Sequence, residues 1–134
     1  MSTPVSKNIL VSMSKVVLLV EDNDFIRNMY QLKLAKADLT VIEAIDGRMA
    51  LQRITEQKPD LVLLDLMMPN VGGLEVLKDL KKQGMLPDLP VIVLTNVMDP
   101  QTIDEAKQLG AKDYIVKTDL TPSQVIDKLK PFIK

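Results

Sequence analysis

PDLVLLDLMMPNVGG, residues 59–73, is the stretch that decides the architecture. Leu61 to Leu64 form an apolar run bounded by Pro59 and Pro69, too short for a helix. Such a run reads as a strand buried on both faces, as in a parallel sheet covered by helices. It ends in Asp65, which puts a carboxylate at the C-terminal edge of a buried strand, where open α/β sheets bind ligands. A lone strand-end aspartate more often caps a turn. The ends of the other strands decide between the two readings.

Upstream, Val16-Val17-Leu18-Leu19-Val20 is a second continuous apolar run, ending in Glu21-Asp22-Asn23-Asp24. A helical pattern follows to about Ala37, with Phe25, Met29 and Leu32 on one side, Ile26 and Tyr30 beside them, and Asn23 or Asp24 as the cap. Thr40 to Ala44 is a short strand, and Asp46-Gly47 turns the chain into a helix carrying Met49, Ala50, Leu51 and Ile54. Downstream, Leu74, Val76, Leu77 and Leu80 give a helix an apolar stripe that Gly84 ends. Pro90 to Thr95 is another buried strand. Asp99-Pro100 suits an N-cap followed by proline at the first helical position, with Ile103, Ala106 and Leu109 inward. Tyr114 to Lys117 is the fifth strand. Thr121-Pro122-Ser123-Gln124 has capping-box spacing and opens a last helix with Val125, Ile126, Leu129, Phe132 and Ile133 inward, frayed at Pro131. Strands alternating with helices over short loops predict an α/β sandwich. The expected form is a flavodoxin-like (βα)5 sandwich with a five-stranded parallel sheet of order 2-1-3-4-5, in which strands one and three are neighbours at the switch point.

Composition narrows the chemistry. At 134 residues, 46% apolar and 26% charged, the chain is sized and composed as one globular domain. A net charge of −1 gives no electrostatic reason to bind nucleic acid. The absence of cysteine excludes disulfides, thiolate catalysis and zinc–sulfur sites. The absence of histidine removes the commonest general base and any phosphohistidine relay within the chain. Residues 1–13 contain only a short apolar piece, Ile9 to Val11, and one lysine. They read as a flexible leader rather than a signal peptide, with Met13 an alternative start and the domain spanning 14–134. No run approaches the length of a membrane span.

Carboxylates, lysines and hydroxyls must then carry the function. Glu21-Asp22, Asp65, Thr95 and Lys117 all end apolar strands, so a parallel sheet places them along one edge. Clustered carboxylates repel unless a proton or cation intervenes, and all-oxygen ligation favours Mg²⁺ over zinc or copper. A cation, a lysine and a hydroxyl around one carboxylate can stabilise the equatorial oxygens of a phosphoryl group passing to it. Aspartate is an established covalent acceptor. Taken singly, Glu21-Asp22 caps a helix, Thr95 is structural and Lys117 is solvated. Their joint placement at the sheet edge favours the functional reading.

From about Lys15 to Lys134 the chain resembles a response-regulator receiver domain of two-component signalling, of the stand-alone type. The resemblance is carried by Glu21-Asp22, by Asp65 followed by Met68-Pro69 and Gly73, by Thr95 thirty positions on, by Lys117 a further twenty-two on, and by Tyr114. It implies that Asp65 is the phosphoacceptor and that Mg²⁺ is held by Asp22, Asp65 and the backbone carbonyl of Met67, with Glu21 acting through water. It assigns Lys117 to the phosphoryl oxygens and Thr95 with Tyr114 to a switch. It further implies a cytoplasmic monomer or weak homodimer that accepts phosphate from a histidine kinase or phosphotransfer protein. The output partner would sit on the face of the fourth helix (about 100–109), fifth strand and fifth helix (about 122–133), with no nucleic acid or membrane involved. Such a protein is no enzyme with a separate substrate; it promotes only its own phosphorylation and slow dephosphorylation. In the family, the residues two past the acceptor and two past the switch threonine flank the path of hydrolytic water; here they are the apolar Met67 and Val97.

Three residues depart from the family pattern. Asn96 stands where Ala or Gly is usual and narrows access. Thr118 replaces a proline, leaving the last loop looser, and Gly72 replaces a frequent Asp, a change expected to be tolerated. One competing reading is a phosphorylation-independent pseudo-receiver, against which the retained acid, threonine and lysine set argues. Another is a flavin- or nucleotide-binding enzyme of the same architecture. Its phosphate would need N–H donors after the first strand, where Glu-Asp-Asn-Asp repels anions.

Overall fold

Five parallel strands, β1 (Val16–Val20), β2 (Thr40–Ala44), β3 (Leu61–Leu64), β4 (Val91–Thr95) and β5 (Asp113–Val116), form one sheet of order β2-β1-β3-β4-β5 in the computed structural model. The structure describes residues 14–133, and the expected leader over 1–13 lies outside them. Helices α1 (Asp24–Lys36), α2 (Gly47–Gln57), α3 (Gly73–Lys82), α4 (Pro100–Leu109) and α5 (Pro122–Leu129) follow the strands in turn. At Pro131 the chain tightens into a 3₁₀ turn, Lys130–Phe132, where the missing N–H ends regular α-helix.

Because side chains alternate along a strand, the apolar runs feed two cores. Leu18, Val20, Val62, Leu64 and Val93 pack with Ala50, Ile54, Val76, Leu77, Leu80 and Ala106 from α2, α3 and α4. Val17, Leu19, Leu61, Leu63, Ile92 and Ile115 pack with Tyr30, Leu34, Val125, Ile126 and Leu129 from α1 and α5. Every residue of β3 is buried, and each such side chain contributes roughly 1.5–3 kcal/mol. The strand that leads into Asp65 is thereby enclosed along its whole length, as is its neighbour β4.

The helix starts match the capping signals. Asn23 accepts from the Ile26 N–H at 2.9 Å, Asp46 from Met49 at 2.8 Å and Asp99 from Thr102 at 3.2 Å. Thr121 and Gln124 form a complete capping box. Among the described α-helices only α3 starts on a residue without a side-chain cap, Gly72. Two glycines permit close approach near Asp65. A Cβ on Gly47 would stand 2.3 Å from the Val71 carbonyl oxygen, and one on Gly73 2.5 Å from that of Asp65. The Gly47 N–H donates to Val71 at 3.1 Å, tying the start of α2 to the loop that follows Asp65.

Two expectations need correction. The inward face of α1 is Ile26, Tyr30 and Leu34, whereas Phe25 and Leu32 are 81% and 60% exposed. The helix carries two apolar stripes one residue, or about 100°, apart, and the sheet accepts the one that begins at Ile26. The fifth strand begins at Asp113, one residue earlier than expected, and stops at Val116, so that Lys117 sits just beyond its end.

Candidate functional site

Strand register brings the strand-end residues together. Val20 pairs with Leu64, so Glu21 and Asp65 leave the sheet side by side. The Asp65 N–H donates to the Val20 carbonyl at 3.1 Å and the Lys117 N–H to that of Thr95 at 2.8 Å, holding both just past their strands. Glu21, Asp65 and Thr95 are the buried polar residues of the described chain. Lys117 Nζ donates to Glu21 Oε1 at 2.5 Å and to Asp65 Oδ2 at 3.0 Å. The Met67 N–H donates to Asp65 Oδ1 and the Asn23 N–H to Glu21 Oε2, each at 3.1 Å. Asp22 is exposed beside them, and oxygens of Glu21, Asp22 and Asp65 lie within 4.8 Å of one another.

One ammonium thus serves two buried carboxylates. Burial raises the Glu21 pKa, with the Asp65 charge adding to the effect and the bonds from Lys117 and Asn23 opposing it. Burial alone would lower Lys117, but its bonds to Glu21 and Asp65 outweigh that and its pKa is raised. The pocket carries surplus negative charge on oxygen alone, which suits a hard divalent cation such as Mg²⁺. The surplus costs stability when no cation is bound. Because the folded pKa of Glu21 lies above its ordinary 4.5, its stabilising contribution is complete below that value and is lost as pH rises through the folded pKa. Metal-free Glu21→Gln is therefore expected to exceed wild type at pH 7 by on the order of 1 kcal/mol in urea melts, and the gap should close below pH 4.5. Equal stability at pH 7 would show that Lys117 already neutralises both acids.

The next loop joins the other two residues. The Val97 N–H reaches the Thr95 hydroxyl at 3.4 Å, and the Tyr114 hydroxyl donates to the Val97 carbonyl at 2.7 Å. Half-burial of the phenol raises its pKa, helped by Asp65 and Asp99. Lys117 therefore bonds Glu21 and Asp65 directly and Asp22 stands beside those two acids, while Thr95 and Tyr114 meet at Val97. Behind the acidic loop stands Arg27, a residue not singled out from sequence. Its guanidinium donates to the Glu21 carbonyl, to Asp24 and to Glu43 of β2. Glu43 is the lone charge in the strand TVIEA, a cue that it had a partner.

The receiver-domain model of response regulators matches residues 17–130. The chemotaxis protein CheY of Thermotoga maritima is 37% identical over 123 residues, covering 91% of this chain and 100% of that protein. The phosphate regulon transcriptional regulatory protein PhoB of Pseudomonas aeruginosa is 33% identical over 120 residues, 90% of this chain and 52% of the regulator. The chain spans about half the length of such regulators. Among solved structures, the BeF3-activated N-terminal receiver domain of Klebsiella pneumoniae RstA superposes with a TM-score of 0.81 at 30% identity, covering 90% of this chain and 99% of that one. The Vibrio cholerae chemotaxis protein CheY4 gives 0.81 at 30% identity, covering 89% and 98%. Among the described residues no helix is long and apolar enough to cross a membrane.

Proposed function

The chain belongs to the response regulator receiver family, and on that premise we propose that Asp65 accepts a phosphoryl group from a phosphohistidine donor in a Mg²⁺-dependent transfer that switches a protein-binding face. The observation that carries the reading is the convergence of Lys117, Glu21 and exposed Asp22 on a buried Asp65. An Asp65 oxygen attacks phosphorus as the P–N bond of the donor breaks, its electron pair staying on the imidazole nitrogen. Lys117, already 3.0 Å from Asp65, turns its ammonium to the incoming phosphoryl oxygens. The Met67 N–H fixes the carboxylate orientation. Asp22, Asp65 and the Met67 carbonyl would hold Mg²⁺, with Glu21 reaching it through water. Bound there, Mg²⁺ neutralises charge on the transferring group.

The donor is a histidine kinase or phosphotransfer protein, and the setting is the cytoplasm. The donor must cover the mouth of the cleft, and that mouth is rimmed by exposed Phe25, Ile45, Met67 and Met98 from the loops and first turns after β1 to β4. Output runs through Val97. When Thr95 swings to a phosphoryl oxygen it disturbs the peptide that Tyr114 grips, and the face of α4, β5 and α5 responds. The test is intact mass after incubation with a small phosphodonor: one added phosphate with Mg²⁺ and none in EDTA. Full labelling in EDTA would refute the metal requirement.

The phosphorylated form should be long-lived. Hydrolysis needs a water aligned behind phosphorus, and neither Met67 nor Val97 can hold one. Met67→Asn combined with Val97→Glu is expected to speed loss of phosphate about tenfold, roughly 1.4 kcal/mol off the barrier. An unchanged rate would mean that the apolar pair only packs its loops.

A further inference from the structure

The loop from Glu21 to Asp24 carries three acids in four residues, and its carboxylates have separate fates. Glu21 is bonded to Lys117 and to the Asn23 N–H, and Asp24 is bonded to Arg27. Among the described residues, Asp22 makes no ion pair. Arg27 binds this loop at two points and β2 at a third. Arg27 Nη1 donates to the Glu21 carbonyl at 3.0 Å, Nη2 to Asp24 Oδ1 at 2.6 Å and Nε to Glu43 Oε2 at 3.3 Å. The Arg27 side chain is only 12% exposed, although Asp24 is 84% exposed. A guanidinium that is buried while its partner is in water is held by the backbone and strand contacts, not by the exposed pair alone.

We infer that Arg27 is a positioning residue for the metal site: its three-way grip fixes the β1–α1 loop so that Asp22 faces Asp65 while Asp24 is kept from competing. The inference rests on the Mg²⁺ reading proposed above. The peptide that Arg27 holds, at Glu21, immediately precedes Asp22, so a shift there swings the Asp22 carboxylate away from Asp65. The N–H of Glu21 is anchored to the Ala44 carbonyl at 3.0 Å, so Arg27 supplies the second fixed point of the same residue. Only arginine offers planar donors in three directions; a lysine ammonium is a single point charge.

The sign of the effect separates this role from simple charge. Arg27 is a cation near a cation site, so a purely Coulombic role means that its removal tightens Mg²⁺ binding. A positioning role means that removal weakens it. The experiment is Mg²⁺ titration of wild type, Arg27→Gln and Arg27→Lys, followed by amide NMR shifts of residues 22–24 and 65–67, with thermal midpoints measured in parallel. Both variants are expected to bind Mg²⁺ about tenfold more weakly, the range seen when groups orienting metal ligands are lost. Arg27→Lys keeps the charge and loses the fork, so it carries the test if Arg27→Gln does not fold. Unchanged affinity in Arg27→Lys, even with a lowered midpoint, overturns the assignment, as does tighter binding in Arg27→Gln. Wild type that takes up no Mg²⁺ overturns the metal reading and this role together. That failure is distinct because it appears before any variant is made.

Discussion

Asp65→Asn is expected to take up no phosphate under conditions that add one phosphate to wild type. The substitution keeps shape and an oxygen acceptor for the Met67 N–H, but the amide oxygen is neutral and its lone pairs are delocalised, so the nucleophile is gone. The neighbouring acids are poor substitutes. Glu21 is buried and engaged by Lys117, and Asp22 is exposed, outside the reach of the ammonium contacts. Folding should survive, because the variant removes one of two carboxylates that share Lys117 and so relieves the surplus charge. A thermal midpoint at or above that of wild type serves as the control. Intact mass reads the result: any stoichiometric labelling of a folded Asp65→Asn protein would place the acceptor elsewhere.

Lys117→Met should cause the largest change in stability. Removing the cation of a buried cluster leaves Glu21 and Asp65 uncompensated, a loss of about 3 kcal/mol, at the low end for buried pairs because the cleft opens to water beside Asp22. That is a large part of the net stability of a domain this size. The pH dependence has a defined sign. With its pKa raised, Lys117 contributes fully below its ordinary 10.5, and the contribution is lost as pH climbs through the folded value. Wild type should therefore show an alkaline loss above pH 10.5 that the variant lacks. In the acid direction, Glu21 protonates and no longer needs a partner, so the gap should narrow toward pH 4.5. Urea midpoints at pH 4.5, 7 and 11 measure both arms. A gap at pH 7 that is independent of pH would mean that Lys117 acts through packing of its stem.

The sheet was legible because its interior strands are unambiguous. Leu61 to Leu64 and Val16 to Val20 are too apolar to be anything but enclosed, and each ends at the residue the site uses. Helix starts were legible because caps are local: Thr121 and Gln124 are three residues apart and bond each other. The inward face of α1 was not, since Phe25, Met29 and Leu32 also space as a stripe, yet of these only Met29 joins Ile26, Tyr30 and Leu34 on the core. The choice is tertiary: Tyr30 and Leu34 share a core with Val125, Ile126 and Leu129 of α5. The site showed the same division. Strand-end chemistry could be read from position, but the direct bond between Lys117 and Glu21, ninety-six residues apart, depends on which acid the sheet turns inward. The three-way reach of Arg27 is likewise tertiary, joining β1, α1 and β2.

The proposal that chemistry at Asp65 moves a distant face is tested most directly by amide NMR on the metal-loaded protein before and after beryllofluoride, a phosphoryl mimic. A ligand shifts a conformational equilibrium only by its differential affinity for the two states, so the coupling must appear as shifts away from the site. Beryllofluoride should move the amides of residues 65–67 and 95–97 first in the structural sense, as nearest neighbours, and those of residues 100–116 with the same titration midpoint. Site amides that respond while residues 100–116 stay unchanged would contradict the switch and leave a receiver fold that binds without signalling through α4 and β5.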